Sequence, residues 1–394
     1  MHDTVYYDAN EAMSEAKGTI LEGCLSAERE NLAAADAGFL WDFWYPAMRS
    51  EEISGKRLAT AMLLEVPLVL GRTTEGKAFA MRDSCPHRGI PLSYGRFDGK
   101  SVECSYHGWR FDACSGQCLE IPSLSSQDKL KVERIFAGHY PCEERDGTVW
   151  VFMTAPGTRA PENVPTAPGQ APKKVPAAPE LAKFGGKYKS THLACELPSH
   201  IDHGIIGLMD PAHGPFVHQS WFWRSKQSIH EKVKQFEPIP NGFRMSKHEP
   251  SSNSLPYKIL KYFSGENTTT MIDFVLPNMR LEEIRSGHLW FSSLTTVTPV
   301  RRDLCRIDFV AAWNVFLPVT IFRAFAKEFL RQDQETMIQQ SEGLKHNPRL
   351  MLIDDADRPA KWYFALKANL VEERRSGVRA EHPMSGPVTL RWRS

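Results

Sequence analysis

Net charge is nearly absent from this chain: 48 Lys and Arg against 47 Asp and Glu leave +1 over 394 residues. That balance supplies no field to gather a nucleic acid or an anionic membrane. Long apolar runs are missing too. The longest uncharged one, Phe309 to Phe322, has 14 residues and is broken by Asn314 and Pro318, too short to span a bilayer. The N-terminus, MHDTVYYDANEAMSEAKG, is acidic and has no apolar stretch of the secretory kind. Six of the eight cysteines (Cys24, Cys114, Cys118, Cys142, Cys195, Cys305) follow no disulfide-framework spacing, which points to a reducing cytoplasm. No internal repeat is present.

The chain is long enough for two or more cores. Residues 1–40 read as a helical lead-in rich in Ala, Glu and Leu. Residues 41–155 change to short β-like runs separated by Gly, Asp and Pro, such as Leu63–Leu70, Ala78–Met81 and Thr148–Phe152. Residues 156–182 form a proline-rich linker or surface strap with little to build a core. Residues 183–394 read as α+β. A helical stretch is expected near Cys195–His218, strands at Met271–Val275, His288–Val297 and Cys305–Val315, and a helix at Ile321–Leu344.

The remaining two cysteines stand in paired half-motifs. Cys85-Pro-His87-Arg-Gly is followed, with sixteen residues between His87 and Cys104, by Cys104-Ser-Tyr-His107-Gly-Trp. Two thiolates and two imidazoles suit a tetrahedral zinc or a [2Fe–2S] centre with two Cys on one iron and two His on the other. Zinc fingers usually draw each half-site from like residues, whereas each half here offers one Cys and one His, which favours the cluster. Cys114 and Cys118 have no partner pair and read as ordinary cysteines.

Downstream, Glu196 to His218 carries His200, His203, His213, His218, Asp202 and Asp210. His200 and His203 would share one helical face. His213 and His218 would splay by about 140° on an ideal helix, but Pro211 and Pro215 make an ideal helix untenable. Spacing alone does not choose between the pairs. Further on, Phe322, Phe325, Phe329, Met337 and Leu344 fall at helical spacing with Asp333 on the same stripe. A carboxylate facing a core needs a cation or a metal, or must turn out to solvent. Two His and one carboxylate are the ligand set of non-haem Fe(II) oxygenases.

Together these residues resemble the terminal oxygenase (α) subunit of the Rieske non-haem iron aromatic-ring-hydroxylating oxygenases. Trp44-Tyr45-Pro46 and Thr148-Val-Trp-Val-Phe152 look like that family's domain edges, and Asp210-Pro-Ala-His213-Gly-Pro-Phe-Val-His218 has its Asp-x-x-His-x4-His form. The resemblance implies an α+β fold: an all-β Rieske domain at 41–155 and a helix-grip-like catalytic domain at 183–394. In the latter an antiparallel sheet and helices surround a mononuclear iron, and the lead-in packs on it. It further implies that Cys85, His87, Cys104 and His107 hold the cluster, that His213, His218 and Asp333 hold Fe(II), and that Asp210 bridges electron transfer.

Two departures stand out. Gly207 occupies a place where many members have Asn, and Ile90 and Tyr106 stand where respiratory Rieske proteins have a disulfide, which points to the low-potential oxygenase type. The resemblance implies electrons from a ferredoxin or NAD(P)H-dependent flavin reductase, a head-to-tail homotrimer, and O₂ insertion into an apolar aromatic or polycyclic molecule by hydroxylation or oxidative demethylation. Neither a nucleic acid nor a membrane is an expected partner. Trp221, Phe222, Trp223, Trp290, Phe291, Phe309 and Trp313 are candidate pocket aromatics, and Arg224 and Lys226 candidate contacts for a substrate anion. An electron carrier or a zinc-stabilised module are the rival classes. The purified protein is expected to absorb visible light as a [2Fe–2S] protein; a colourless, zinc-replete preparation would remove the cluster.

Overall fold

The computed structural model describes residues 38–53, 55, 57–156, 163–164, 173–218, 229–250 and 255–394. Most of the expected lead-in lies outside these residues, as do much of the linker, Trp221, Phe222, Trp223, Arg224 and Lys226.

The first part is all β. Its strands are β1 (Phe43–Arg49), β2 (Ala59–Leu63), β3 (Val66–Arg72), β4 (Ala78–Arg82), β5 (Arg96–Phe97), β6 (Ser101–Glu103), β7 (Arg110–Asp112), β8 (Cys118–Glu120), β9 (His139–Tyr140), β10 (Cys142–Arg145) and β11 (Thr148–Met153). They form three sheets, β1-β11-β10, β2-β3-β4-β9 and β5-β6-β7-β8. Local sequence sets the tight connections. Leu64-Glu65 and Asp146-Gly147 both take positive φ at two successive positions, the backbone that matches the twist of a two-residue hairpin.

After a short ribbon of β12 (Asn163–Val164) and β13 (Lys173–Lys174), the second part begins with β14 (Lys189–Leu197), α1 (Ile201–Met209) and α2 (Gly214–Val217). Next come β15 (Glu231–Ile239), β16 (Gly242–His248), α3 (Leu255–Ser264), β17 (Thr269–Val275), β18 (Met279–Ser286), β19 (Leu289–Arg301) and β20 (Leu304–Trp313). The chain ends in α4 (Val319–Leu344), α5 (Arg358–Ser376) and β21 (Val388–Arg393). Eight strands make one antiparallel sheet in the order β14-β20-β19-β18-β17-β16-β15-β21. The fold is thus α+β. Cys195 lies in a strand rather than in the expected helix, because the Thr191–Leu197 run pairs with β20 along its length. No helix among the described residues is long and apolar enough to cross a membrane.

The centre of this sheet is covered on both sides, which explains why β19 is buried almost without alternation. Trp290, Leu294, Val310 and Ala312 point to one face and pack with Trp44, Trp150 and Phe152 of the first part. Ala178 and Leu181 of the strap are buried in that same cluster, so this stretch does contribute to a core. The strap is also tied down by Trp44 Nε1, which donates to Pro176 O at 2.8 Å, and by Ser292 Oγ, which donates to Ala182 O at 2.7 Å. On the opposite face, Phe291, Phe309 and Trp313 meet Phe322 of α4. Each large side chain buried in this way contributes about 1.5–3 kcal/mol.

A polar clamp joins the two parts. Arg306 donates to Asp308 at 2.8 Å and to the carbonyls of Ala47 and Pro46 at 2.8 and 2.7 Å. Asp308, only 2 % exposed, also meets His192 Nε2 at 3.0 Å. Arg306→Ala leaves that buried carboxylate with His192 alone and is expected to cost about 1–3 kcal/mol, read as a fall in the denaturant midpoint. A loss below 1 kcal/mol would show that the clamp is dispensable.

Candidate metal centres

The two half-motifs fold into matching loops. Gly89 N donates to Cys85 O at 2.9 Å and Cys85 N to Ile90 O at 2.8 Å. In the second loop Gly108 N donates to Cys104 O at 3.1 Å and Cys104 N to Trp109 O at 2.8 Å. Gly89 and Gly108 sit at φ 72° and 70°, where a side chain would be strained, so each glycine closes its turn. The repetition places a Cys at the base and a His at the rim, two residues on in the first loop and three in the second. Cys85 and Cys104 are both 2 % exposed, and their thiols are neighbours. Burial first, then the neighbouring Cys104, pushes the Cys85 thiol up to about 11. The imidazoles of His87 and His107 lie 4.6 Å apart between centroids, with His87 stacked on Trp109. Desolvation, then His107 and Arg88, hold His87 below the usual imidazole pKa. Two inward thiols and two outward imidazoles are a donor set that fits a two-iron cluster with unlike ends.

A second convergence lies at the end of α1. His213 is the N-cap and His218 the C-cap of the single turn α2, so the chain bends and brings the rings together, with centroids 5.0 Å apart. On α4 the buried residues are Ala326, Leu330 and Met337, with Asp333 between the last two. Phe325 is off that stripe and 40 % exposed, since Ala326 takes the inward position. Ligand atoms of His213, His218 and Asp333 all lie within 4.8 Å of one another. His213 Nε2 is 3.1 Å from His218 Nε2, which is 3.1 Å from Asp333 Oδ1.

The outer hydrogen bonds decide what these atoms can be. His218 Nδ1 faces Gln332 Oε1 at 3.1 Å, an acceptor, so the tautomer that satisfies this contact has its proton on Nδ1 and a lone pair on Nε2. His213 Nδ1 faces Asp210 Oδ2 at 3.5 Å, at the edge of hydrogen-bond reach and without a better partner. With an Nδ1 proton directed at Asp210, the neutral ring of His213 would present Nε2 inward as a lone pair. Two imidazole lone pairs and a carboxylate oxygen thus point into one space. Without a cation this is an acceptor-only cluster, and the residues fit a divalent metal. Burial works against charge on His213, but Asp210 and then Asp333 outweigh it and raise its pKa. Asp210 caps α1 and accepts from Ala212 N at 2.6 Å.

The other expected residues fall elsewhere. His200 caps the start of α1, accepting from Asp202 N at 3.2 Å, and His203 belongs to the first turn of the same helix. Neither joins the triad. Trp290 points away from it into the junction between the two parts, while Phe291, Phe309 and Trp313 lie on the helix-covered face. Cys118 is buried and faces Glu120 O. Sequence reading missed Gln332 and Phe329, which stacks on His218 at 4.6 Å. Phe329 was visible only as a stripe residue, and Gln332 gave no signal beyond its place next to Asp333.

Residues 43–134 match the Rieske [2Fe–2S] domain family. Chlorophyllide a oxygenase of Arabidopsis thaliana is 30 % identical over 201 residues, covering 50 % of this chain and 33 % of that protein. The 3-chlorobenzoate-3,4-dioxygenase oxygenase subunit of Comamonas testosteroni is 31 % identical over 183 residues, covering 46 % and 38 %. The matched segments thus span about a third of each relative's length. Dicamba monooxygenase, solved with 3,6-dichlorosalicylic acid, superposes with a TM-score of 0.64 at 20 % identity, over 86 % of this chain and 99 % of that one. The Rieske domain and the fold of oxygenase α subunits are therefore both present here.

Proposed function

We propose that this Rieske-domain chain is a terminal oxygenase that takes electrons from a ferredoxin or flavin reductase and hydroxylates an aromatic or polycyclic molecule. The observation that carries the reading is the inward convergence of His213, His218 and Asp333 in a chain that also presents the Cys-Pro-His and Cys-Ser-Tyr-His loops. An electron carrier has no use for the triad.

In this reading Cys85, Cys104, His87 and His107 hold the cluster, and the triad holds Fe(II). When bound, the cluster supplies single electrons and the iron supplies oxygen activation. The protein's own part is geometric. Asp210 keeps the Nδ1 proton of His213, Phe329 fixes the plane of the His218 ring, and Gln332 receives its outer N–H. Phe291, Phe309 and Trp313 pack against Phe322 on the sheet face that α4 covers. The names of the relatives (chlorophyllide, chlorobenzoate, dicamba) support an aromatic or polycyclic substrate.

Asp210 is part-exposed, with one oxygen given to Ala212 N and the other turned to His213. In a head-to-tail trimer it would link His213 to the partner subunit's His107, a heterologous contact that closes by rotation. The proposed working compartment is the cytoplasm.

Two outcomes follow. With ¹⁸O₂, a generic reductase and a panel of aromatic compounds, label is expected in a hydroxylated ring, or in released aldehyde if the reaction is demethylation. Electron uptake with no oxygenated product from any of them would reduce the protein to a carrier. Asp210→Asn should retain both metals yet slow single-turnover oxidation of the cluster by about 10–100-fold; an unchanged rate would refute the bridge.

A further inference from the structure

The triad receives no polar support at Gly207, where a side-chain Cβ would meet only Met337 Cε, at 3.7 Å. Support comes instead from α4. Phe329 already holds the plane of the His218 ring by stacking on it. What a stacked ring leaves open is which nitrogen carries the proton. We propose that Gln332, oriented by Glu328, sets the tautomer of His218 and through it the affinity of the triad for its metal. This rests on reading the triad as a metal site.

The argument turns on the polarity of one chain of hydrogen bonds. His218 Nδ1 lies 3.1 Å from Gln332 Oε1. A carboxamide can present either its oxygen or its NH₂, because its terminal torsion is broad and two-fold. Here the NH₂ is claimed elsewhere: Gln332 Nε2 donates to Glu328 Oε1 at 3.1 Å. Glu328 is in turn gripped by Arg331, whose Nε and Nη2 donate at 2.8 and 2.6 Å, while Arg331 also reaches Glu335. The Arg331 hydrogen bonds, outweighing desolvation, hold the Glu328 carboxyl below its usual pKa, so it is an acceptor only.

Every N–H along the chain is therefore directed towards Glu328. Arg331 and Gln332 donate to it, and His218 donates to Gln332. That order leaves His218 Nε2 unprotonated and facing the metal position. If Glu328 released the amide, a flip would present NH₂ to Nδ1, which would have to accept. Nε2 would then carry the proton and aim it at His213 Nε2 and Asp333. Glu328, Arg331 and Gln332 are spaced i, i+3 and i+4 on a single helix, so the device needs no tertiary contact beyond His218 itself. Gln332 is a positioning residue in this account. Glu328, about half exposed and linked to His218 through Gln332, acts one step further out.

The test uses Co(II) as the probe, on full-length protein with its cluster intact and oxidised. Affinity is measured by chelator competition, and the bound ion by its high-spin Co(II) EPR signal. Gln332→Leu is expected to weaken Co(II) by about 10–100-fold. Glu328→Ala should weaken it several-fold in the same direction, and Gln332→Glu, which keeps an acceptor, should stay within about 3-fold of the parent. Parent-like affinity and EPR signal in Gln332→Leu would overturn the proposal, as would a Gln332→Glu variant as weak as Gln332→Leu. If the parent protein binds no Co(II) that His218→Ala abolishes, the metal-site reading itself falls, a result distinct from either of these.

Discussion

One sheet buried on both faces is the constraint from which the rest follows. Neighbouring residues of β19 and β20 point in opposite directions, so Trp290, Leu294 and Val310 lock the sheet to the all-β part while Phe291, Phe309 and Trp313 face α4. Because both sides are filled, α4 is fixed along its length against a rigid wall, and Asp333 is delivered to His213 and His218. The Arg306–Asp308–His192 clamp reinforces the same junction with charge that neither side can solvate alone. The cluster loops, in contrast, close through their own turns and pack only within the all-β part.

That difference explains how much the sequence disclosed. The cluster site was legible from Cys85-Pro-His87 and Cys104-Ser-Tyr-His107 because each loop carries its ligands, its glycine and its turn within five residues. His213 and His218 were ambiguous by spacing, and resemblance, not periodicity, singled them out. The structure supplies the physical reason: the pair flanks one turn, so the angle expected of a continuous helix never applies. Asp333 could be read from its place in the stripe of α4, although Phe325 was misplaced because small Ala326 fills the inward position.

What remained illegible was tertiary or directional. Trp290 and Phe291 look equally suited to an apolar pocket, yet strand parity sends them to opposite sides. The strap around Ala178 and Leu181 reads as surface material, because two isolated apolar residues in a proline-rich stretch give no sign of the aromatic cluster that receives them. The role of Gln332 depends on which end of an amide faces a ring, and no sequence pattern encodes that. Polar chains of this kind hold ligand atoms that would otherwise repel or share protons, and they do so from outside the ligand set.

Iron and acid-labile sulfide, counted per chain after anaerobic reconstitution, test the central claim most directly. The account predicts two sulfides and three irons in the parent protein, with His218→Ala losing one iron while keeping both sulfides and the visible spectrum. A parent protein with only two irons, or a His218→Ala variant that retains all three, would contradict it.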